Sequence, residues 1–175
     1  MKILETERLV LRQFELDDAP VVFEINSDPE VVRYAEGVTP ASLEESIGHL
    51  QDGPLADYAE FGYGRWALVL KHSNELIGFC GMKFIKELGL NEIGYRMASR
   101  HWGQGIATEA AAATLEYARR QLGMDYVIAL IIEENVASIR VAEKLGMRSG
   151  GLIRFDGTDC LKYETRLKAS YDSDG

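Results

Sequence analysis

Several features that would assign a chain quickly are scarce or missing. Among 175 residues there are two cysteines, Cys80 and Cys160, and three histidines. Neither cysteine belongs to a CxxC pair or lies near a histidine cluster, so the expectation is no metal and no disulfide, with both thiols buried in a reducing compartment. Basic residues are outnumbered, 19 Lys and Arg against 28 Asp and Glu, giving a formal net charge of -9. That balance leaves no basic face for nucleic acid. It steers cationic partners instead, so a phosphate-bearing ligand needs local help from arginine or main-chain amides. The longest apolar run, 126–132, is far short of the roughly 20 residues that span a bilayer. The first seven residues have no apolar core of the kind a secretion signal requires. Internal repeats and low-complexity segments are absent, and together these absences place the expected protein in the cytoplasm.

What is present is an ordinary globular composition, 46% hydrophobic and 27% charged, in a length that suits one domain. The predicted domain covers 6–168, with a polar tail at 169–175. Its centre is Arg100-His101-Trp102-Gly103-Gln104-Gly105-Ile106-Ala107-Thr108-Glu109, between a strand-like run at 90–98 and an alanine-rich helix at 108–122. Two glycines one residue apart allow a tight turn with bare N–H groups. The helix start adds unpaired amides and the positive end of its dipole. Strand, glycine turn and helix N-terminus together make an anion cradle suited to phosphate or pyrophosphate.

Around this centre the pattern reads as a first strand at 8–14 and a helix entered through Asp17-Asp18-Ala19-Pro20 and closed by Asp28-Pro29. A second helix starts near Thr39-Pro40-Ala41-Ser42 and runs to Leu50. Strands follow at 66–70, 76–84 and 90–98, the first two as a hairpin. In the central helix Ala107, Ala111, Leu115, Ala118 and Leu122 form one buried stripe, and Gly123 ends it. The continuous β-branched run at 125–132 suits a strand covered on both faces. Strand, helix, strand in this order predicts a right-handed crossover and a parallel pair. A short helix entered at Asn135 and Ser138 and a hairpin around Asp156-Gly157 complete the domain. Tyr58, Phe61 and Tyr63 read as satellite core rather than as pocket lining.

A dinucleotide site is the first alternative for the cradle. It fails because Thr108 stands at the third small position, and Asp125 lies at the wrong end of the next strand for a ribose-binding acid. A nucleoside triphosphate loop fails for want of Gly-Lys-Ser/Thr. Arg100-x-x-Gly103-x-Gly105-Ile106-Ala107 instead resembles the acyl-CoA pyrophosphate loop of the GNAT N-acetyltransferases. Thr6-Glu7-Arg8-Leu9-Val10-Leu11-Arg12, Glu92-Ile93-Gly94-Tyr95-Arg96 and the segment from Asn135-Val136-Ala137-Ser138 to Leu145-Gly146-Met147 resemble the ribosomal-protein (RimJ/RimL-like) subfamily.

The resemblance implies an α/β GNAT fold. Its central sheet is mixed and mostly antiparallel, of about seven strands, with helices on both faces and two splayed parallel strands. It also implies acetyl-CoA as the acyl donor, with pantetheine between the strands at 90–98 and 125–132, bound by main-chain groups near Met97 and Ala98. The amides of His101, Trp102, Gly103, Gln104, Gly105, Ile106 and Ala107 hold the pyrophosphate, with Arg100 or His101 alongside. Asn135 hydrogen-bonds pantetheine, a role compatible with capping the helix that follows.

Direct attack needs a deprotonated amine, a polarised thioester carbonyl and a leaving thiolate. Glu92 is the expected base. The tyrosine that many relatives carry seven residues after the asparagine is Ala142 here. Ser138 stands at the Asn-x-x-Ser position that the resemblance to the ribosomal-protein subfamily implies lies near the sulfur, and Tyr163 is a lesser candidate. The expected partners are an amine acceptor, either a protein N-terminus or a small molecule, and at most a second copy of the chain as monomer or homodimer. The acceptor pocket is expected at 31–37 and 55–64. The rival reading is an acyl-CoA-binding module without catalysis.

Overall fold

The computed structural model describes residues 1–35 and 39–167. The predicted tail at 169–175 and the end of the 31–37 segment lie outside the described residues.

Among the described residues eight strands form one sheet in the order β1-β2-β3-β4-β5-β6-β8-β7. They are β1 (Lys2–Glu5), β2 (Leu9–Arg12), β3 (Arg65–Leu70), β4 (Glu75–Ile85), β5 (Leu90–Met97), β6 (Tyr126–Ile131), β7 (Arg148–Phe155) and β8 (Thr158–Arg166). The strand beyond the expected seven is β1, whose four residues are too few for period-two alternation to register. It pairs antiparallel with β2. The last hairpin turns through Asp156 at φ 48° and Gly157 at φ 76°, the two left-handed positions of a tight turn. Its second arm, β8, pairs with β6 and leaves β7 at the outer edge.

Burial alternates along β3 as a two-sided sheet requires. Trp66, Leu68 and Leu70 join the larger core, whereas Ala67 and Val69 join a smaller one with Phe14, Ala19, Leu50 and Leu76. The smaller core lies under α1 (Ala19–Asn26) and α3 (Leu43–Leu50); the short α2 (Pro29–Val32) and α4 (Ala56–Phe61) flank them. The Asp28-Pro29 pair, expected only to close α1, also opens α2. Asp28 Oδ1 accepts from Glu30 N–H at 3.0 Å, and a proline fits the first helical turn because no intrahelical donor is needed there.

On the other face α5 (Ile106–Gln121) buries Ile106, Ala110, Ala111, Thr114, Leu115 and Ala118. The stripe is therefore rotated from the one expected, with Ala107 and Leu122 packed only at its margin. The helix begins at Ile106 rather than Thr108, directly from Gly105. The shorter α6 (Val136–Lys144) packs beside α5 through Ile139 and Ala142.

The predicted parallel pair forms between β5 and β6, but it registers at a single position, Glu92 opposite Ile128. Beyond that point the strands part, so the sheet opens toward Met97 and Ile131. This gap lies beside the turn that leads into α5.

Candidate active site

Gly103 and Gly105 take φ of 74° and 75°, backbone that side chains rarely adopt. A Cβ on Gly103 would touch nothing within 4 Å, so conformation rather than crowding requires glycine there. Gly105 is the N-cap of α5 and no side chain caps its first amides. The cradle is open and made of main chain, which fits a diphosphate.

A carboxylate, Glu109, nevertheless sits in the first turn of α5. It accepts from Thr6 Oγ1 at 2.6 Å, from Arg8 N–H at 3.1 Å and from Arg8 Nε at 2.7 Å. Burial tends to raise its pKa, but these donors together hold it below the ordinary carboxyl value. Arg8 also donates from Nη1 to the Gln104 carbonyl at 2.9 Å. Its Nη2 comes within 3.7 Å of where a Gly105 Cβ would stand. Arg8 thus compensates the negative charge of Glu109 at the cradle and braces the loop. It belongs to the opening motif, but no local pattern tied it to residues a hundred positions away.

The cations expected beside the pyrophosphate are engaged elsewhere. Arg100 Nη2 and His101 Nε2 lie 2.5 and 3.3 Å from Glu75 Oε1. Gln104 Nε2 reaches the Arg100 carbonyl at 3.4 Å. Trp102 is 48% exposed and its Nε1 donates to the Met97 carbonyl at 3.1 Å.

At the end of β5, Ala98 N–H donates to Ile77 O at 2.8 Å and its carbonyl accepts from His101 N–H at 3.0 Å. Both main-chain groups of Ala98 are therefore occupied. Antiparallel alternation then turns the N–H groups of Met97 and Tyr95 toward the gap.

Side chains alternate as well, which puts Glu92 and Ser138 on opposite faces of the sheet with the gap between them. Glu92 Oε2 is 3.1 Å from Arg65 Nη2; among the described residues its other oxygen has no hydrogen-bond partner. The Arg65 guanidinium lies flat over Gly94, where a Cβ would come within 2.9 Å of Nη2. On the α6 side, Asn135 Oδ1 accepts from Ser138 N–H at 3.2 Å, so it caps the helix. Tyr95 Oη donates to the Ser138 carbonyl at 3.3 Å, and burial pushes this phenol up to about 12. Sequence reasoning passed over Tyr95; its signal was its place two residues from both Ile93 and Met97. Ala142 and Tyr163 are buried in the larger core.

A cavity of about 270 Å³ opens at the same end of β5, lined by Glu24, Asp28, Val31, Ala98, Ser99 and Arg100 among others. Ser99 Oγ donates to Asp28 Oδ2 at 2.8 Å across its wall. Among the described residues of the expected acceptor segments, Val31 lines it. Tyr58 and Tyr63 instead pack against the larger core and bond the Arg65 carbonyl and Asn91 Oδ1. Among the described residues no group of three or more His, Cys, Asp or Glu could hold a metal, and no helix is long and apolar enough to cross a membrane.

A mixed sheet split between two parallel strands, with a glycine loop feeding a helix at the split, is the arrangement that the resemblance to the GNAT N-acetyltransferases implies. The family model described as an acetyltransferase (GNAT) domain matches residues 8–148, and the chain belongs to that family. The uncharacterised N-acetyltransferase p20 of Bacillus licheniformis is 36% identical over 159 residues, covering 88% of this chain and 86% of that one. YkkB of Bacillus subtilis, an uncharacterised protein, is 38% identical over 169 residues, covering 93% and 95%. Among solved structures, an acetyltransferase from Agrobacterium tumefaciens superposes with a TM-score of 0.81 at 28% identity, over 94% of both chains. RimL, a ribosomal L7/L12 α-N-protein acetyltransferase solved with coenzyme A, gives 0.78 at 19% identity over 95% of this chain and 98% of that one, a likeness of fold. The chain is accordingly an N-acetyltransferase.

Proposed function

We propose that acetyl-CoA is held along the β5–β6 gap and the 101–107 loop, and that a primary amine enters from the α1–α2 side to take the acetyl group directly. The observation that carries this reading is the single parallel register at Glu92 and Ile128. It leaves the edge of β5 open next to uncapped helix amides. Bound there, acetyl-CoA supplies a thioester whose acyl carbon an amine can attack. The main-chain N–H groups at the 101–107 loop hold the diphosphate. The N–H groups of Tyr95 and Met97 face the gap, where a donor stabilises a developing oxyanion.

Glu92, on the α1 face, receives the proton from the amine, directly or through a water. Arg65 fixes the rotamer of that carboxylate. The Ser138 hydroxyl lies on the opposite face, where it can donate to a leaving thiolate, and Tyr95 Oη holds the Ser138 carbonyl in place. Asn135 caps α6 through Oδ1 and has its amide nitrogen left for pantetheine. Trp102 and Gln104 shape the loop, while Arg100 and His101 contribute to it through Glu75. The broader setting is a RimJ/RimL-like enzyme of the cytoplasm, acting as a monomer or homodimer.

The test pairs calorimetry with acetyl-CoA against thiol release across an amine panel that includes peptides with free N-termini. Binding with release by at least one amine supports the reading. Binding with no release by any amine makes the chain a coenzyme-binding module, and no binding removes the assignment of the loop.

A further inference from the structure

Arg96 is a mostly buried guanidinium with no counter-ion among the described residues. It sits on the α1 face of β5, where Nη1 donates to Asn26 Oδ1 at 3.2 Å. Its Cζ lies 5.3 Å from the Phe79 ring centroid. Arg65 approaches the same ring at 5.1 Å, and the Nε of Arg65 is buried without a hydrogen-bond partner. Among the described residues Arg96 makes no ion pair. Glu92 is paired with Arg65, and Asp57 feels Lys83, Arg65, Glu60 and Lys86. Among the described residues no carboxylate pairs with Arg96.

Partial compensation comes from the C-terminal end of α1, whose last residue is Asn26, and from the face of Phe79. Neither supplies a full charge. Buried charges are as a rule paired. Burial, with the like charge of Arg65, drags this guanidinium down to about 10.

The space around the group says what could. Phe14, Val22, Ile25, Asn26, Gly78 and Phe79 enclose a crevice of about 20 Å³ beside Arg96. That holds a water or one carboxylate oxygen and is too tight for a phosphate. Ile25 also lines the 270 Å³ cavity at the end of β5, so the crevice adjoins the proposed acceptor entrance.

We infer that the acceptor brings the missing counter-ion: the amine substrate also carries a carboxylate, which seats against Arg96. This deepens the reading in which the acceptor enters on the α1 side, and rests on it. Glu92 and Arg96 are four residues apart on one strand, about 13 Å between Cα atoms. With both side chains reaching inward, the span suits an amine several carbons from its carboxylate, as in an ω-amino acid, better than an α-amino group.

The experiment compares 6-aminohexanoate with 6-aminohexanamide as acceptors for the wild type, Arg96→Met and Arg96→Lys. Thermal melts of the same proteins are run with each compound and no acetyl-CoA. The expected result is a preference for the carboxylate of about tenfold in kcat/KM, carried by KM, that vanishes in Arg96→Met and survives in part in Arg96→Lys. The carboxylate should raise the wild-type Tm and leave that of Arg96→Met unchanged. Equal use of the two acceptors, a preference that persists in Arg96→Met, or no carboxylate-specific Tm shift would each overturn the inference. If no amine releases thiol, the proposed reaction falls, and the melts still decide whether Arg96 binds a carboxylate. If Arg96→Met does not fold, Arg96→Lys and the two acceptors on the wild type carry the decision.

Discussion

The two sides of the cleft are built from different materials. On the side proposed for the coenzyme, the groups offered are main chain: Gly103, Gly105, the first amides of α5 and the free edge of β5. The nearby charged side chains are held in pairs, Arg8 with Glu109 and Arg100 with Glu75. On the acceptor side the surface is side chain, with Arg65, Phe79, Glu92 and Arg96 ranged across β3, β4 and β5. A main-chain site tolerates many side-chain identities and binds what every member of the family must bind. A side-chain site changes its ligand with one substitution. The contrast explains why the donor follows from family membership, whereas the acceptor must be argued from individual residues.

The harshest way to break this division is to strike the strand that supports both halves. A Cβ on Gly78 would stand 2.0 Å from Arg96 O and 2.6 Å from Met97 Cα, so Gly78→Ala forces β4 away from β5. A loss of about 4 kcal/mol, roughly 8–16 °C in Tm, is expected by thermal melting, with both ligand sites damaged together. Gly105→Glu attacks one side only. A carboxylate in the cradle and a strained φ should weaken acetyl-CoA binding by about 100-fold or more in calorimetry, while ligands of the Arg96 crevice still bind. Glu92→Gln is its counterpart. Turnover should fall by about 10²-fold in steady-state kinetics, with acetyl-CoA affinity unchanged in calorimetry.

The smallest effect sharpens the role of Arg8 and Glu109. Glu109 has its folded pKa depressed below the ordinary 4.5, so its contribution to stability is fully present above that value. It is lost as pH falls through the lower, folded one. Urea melts should therefore show Glu109→Gln less stable than the wild type by about 1 kcal/mol at neutral pH. The gap should shrink as pH falls below the ordinary 4.5 and through the lower, folded value; a constant gap would mean that the charge is irrelevant.

Much of the coenzyme side was legible because it depends on local chain. Two glycines at a strand–helix junction need left-handed backbone whatever surrounds them, and Gly103 and Gly105 adopt it. Asn135 was readable as a cap for the same reason. The acceptor side was not, because its contacts join distant residues. Arg65 reaches Glu92 across 27 positions and Arg96 reaches Asn26 across 70, and no periodicity encodes such pairs. The aromatic stretch at 55–64 had suggested either pocket or packing, and Tyr58 and Tyr63 settle against the core. The cations expected at the loop, Arg100 and His101, turn to Glu75, a partner on β4 that only the sheet register brings near.

By itself, then, the order of residues determined the crossover of β5, α5 and β6, the glycine cradle and the membership that follows from both, since these depend on spacing within one continuous stretch. Tertiary structure alone decided which charges are neutralised and which is left over. Ion pairing depends on distance in space, and a buried charge without a partner exists only once the chain has closed around it.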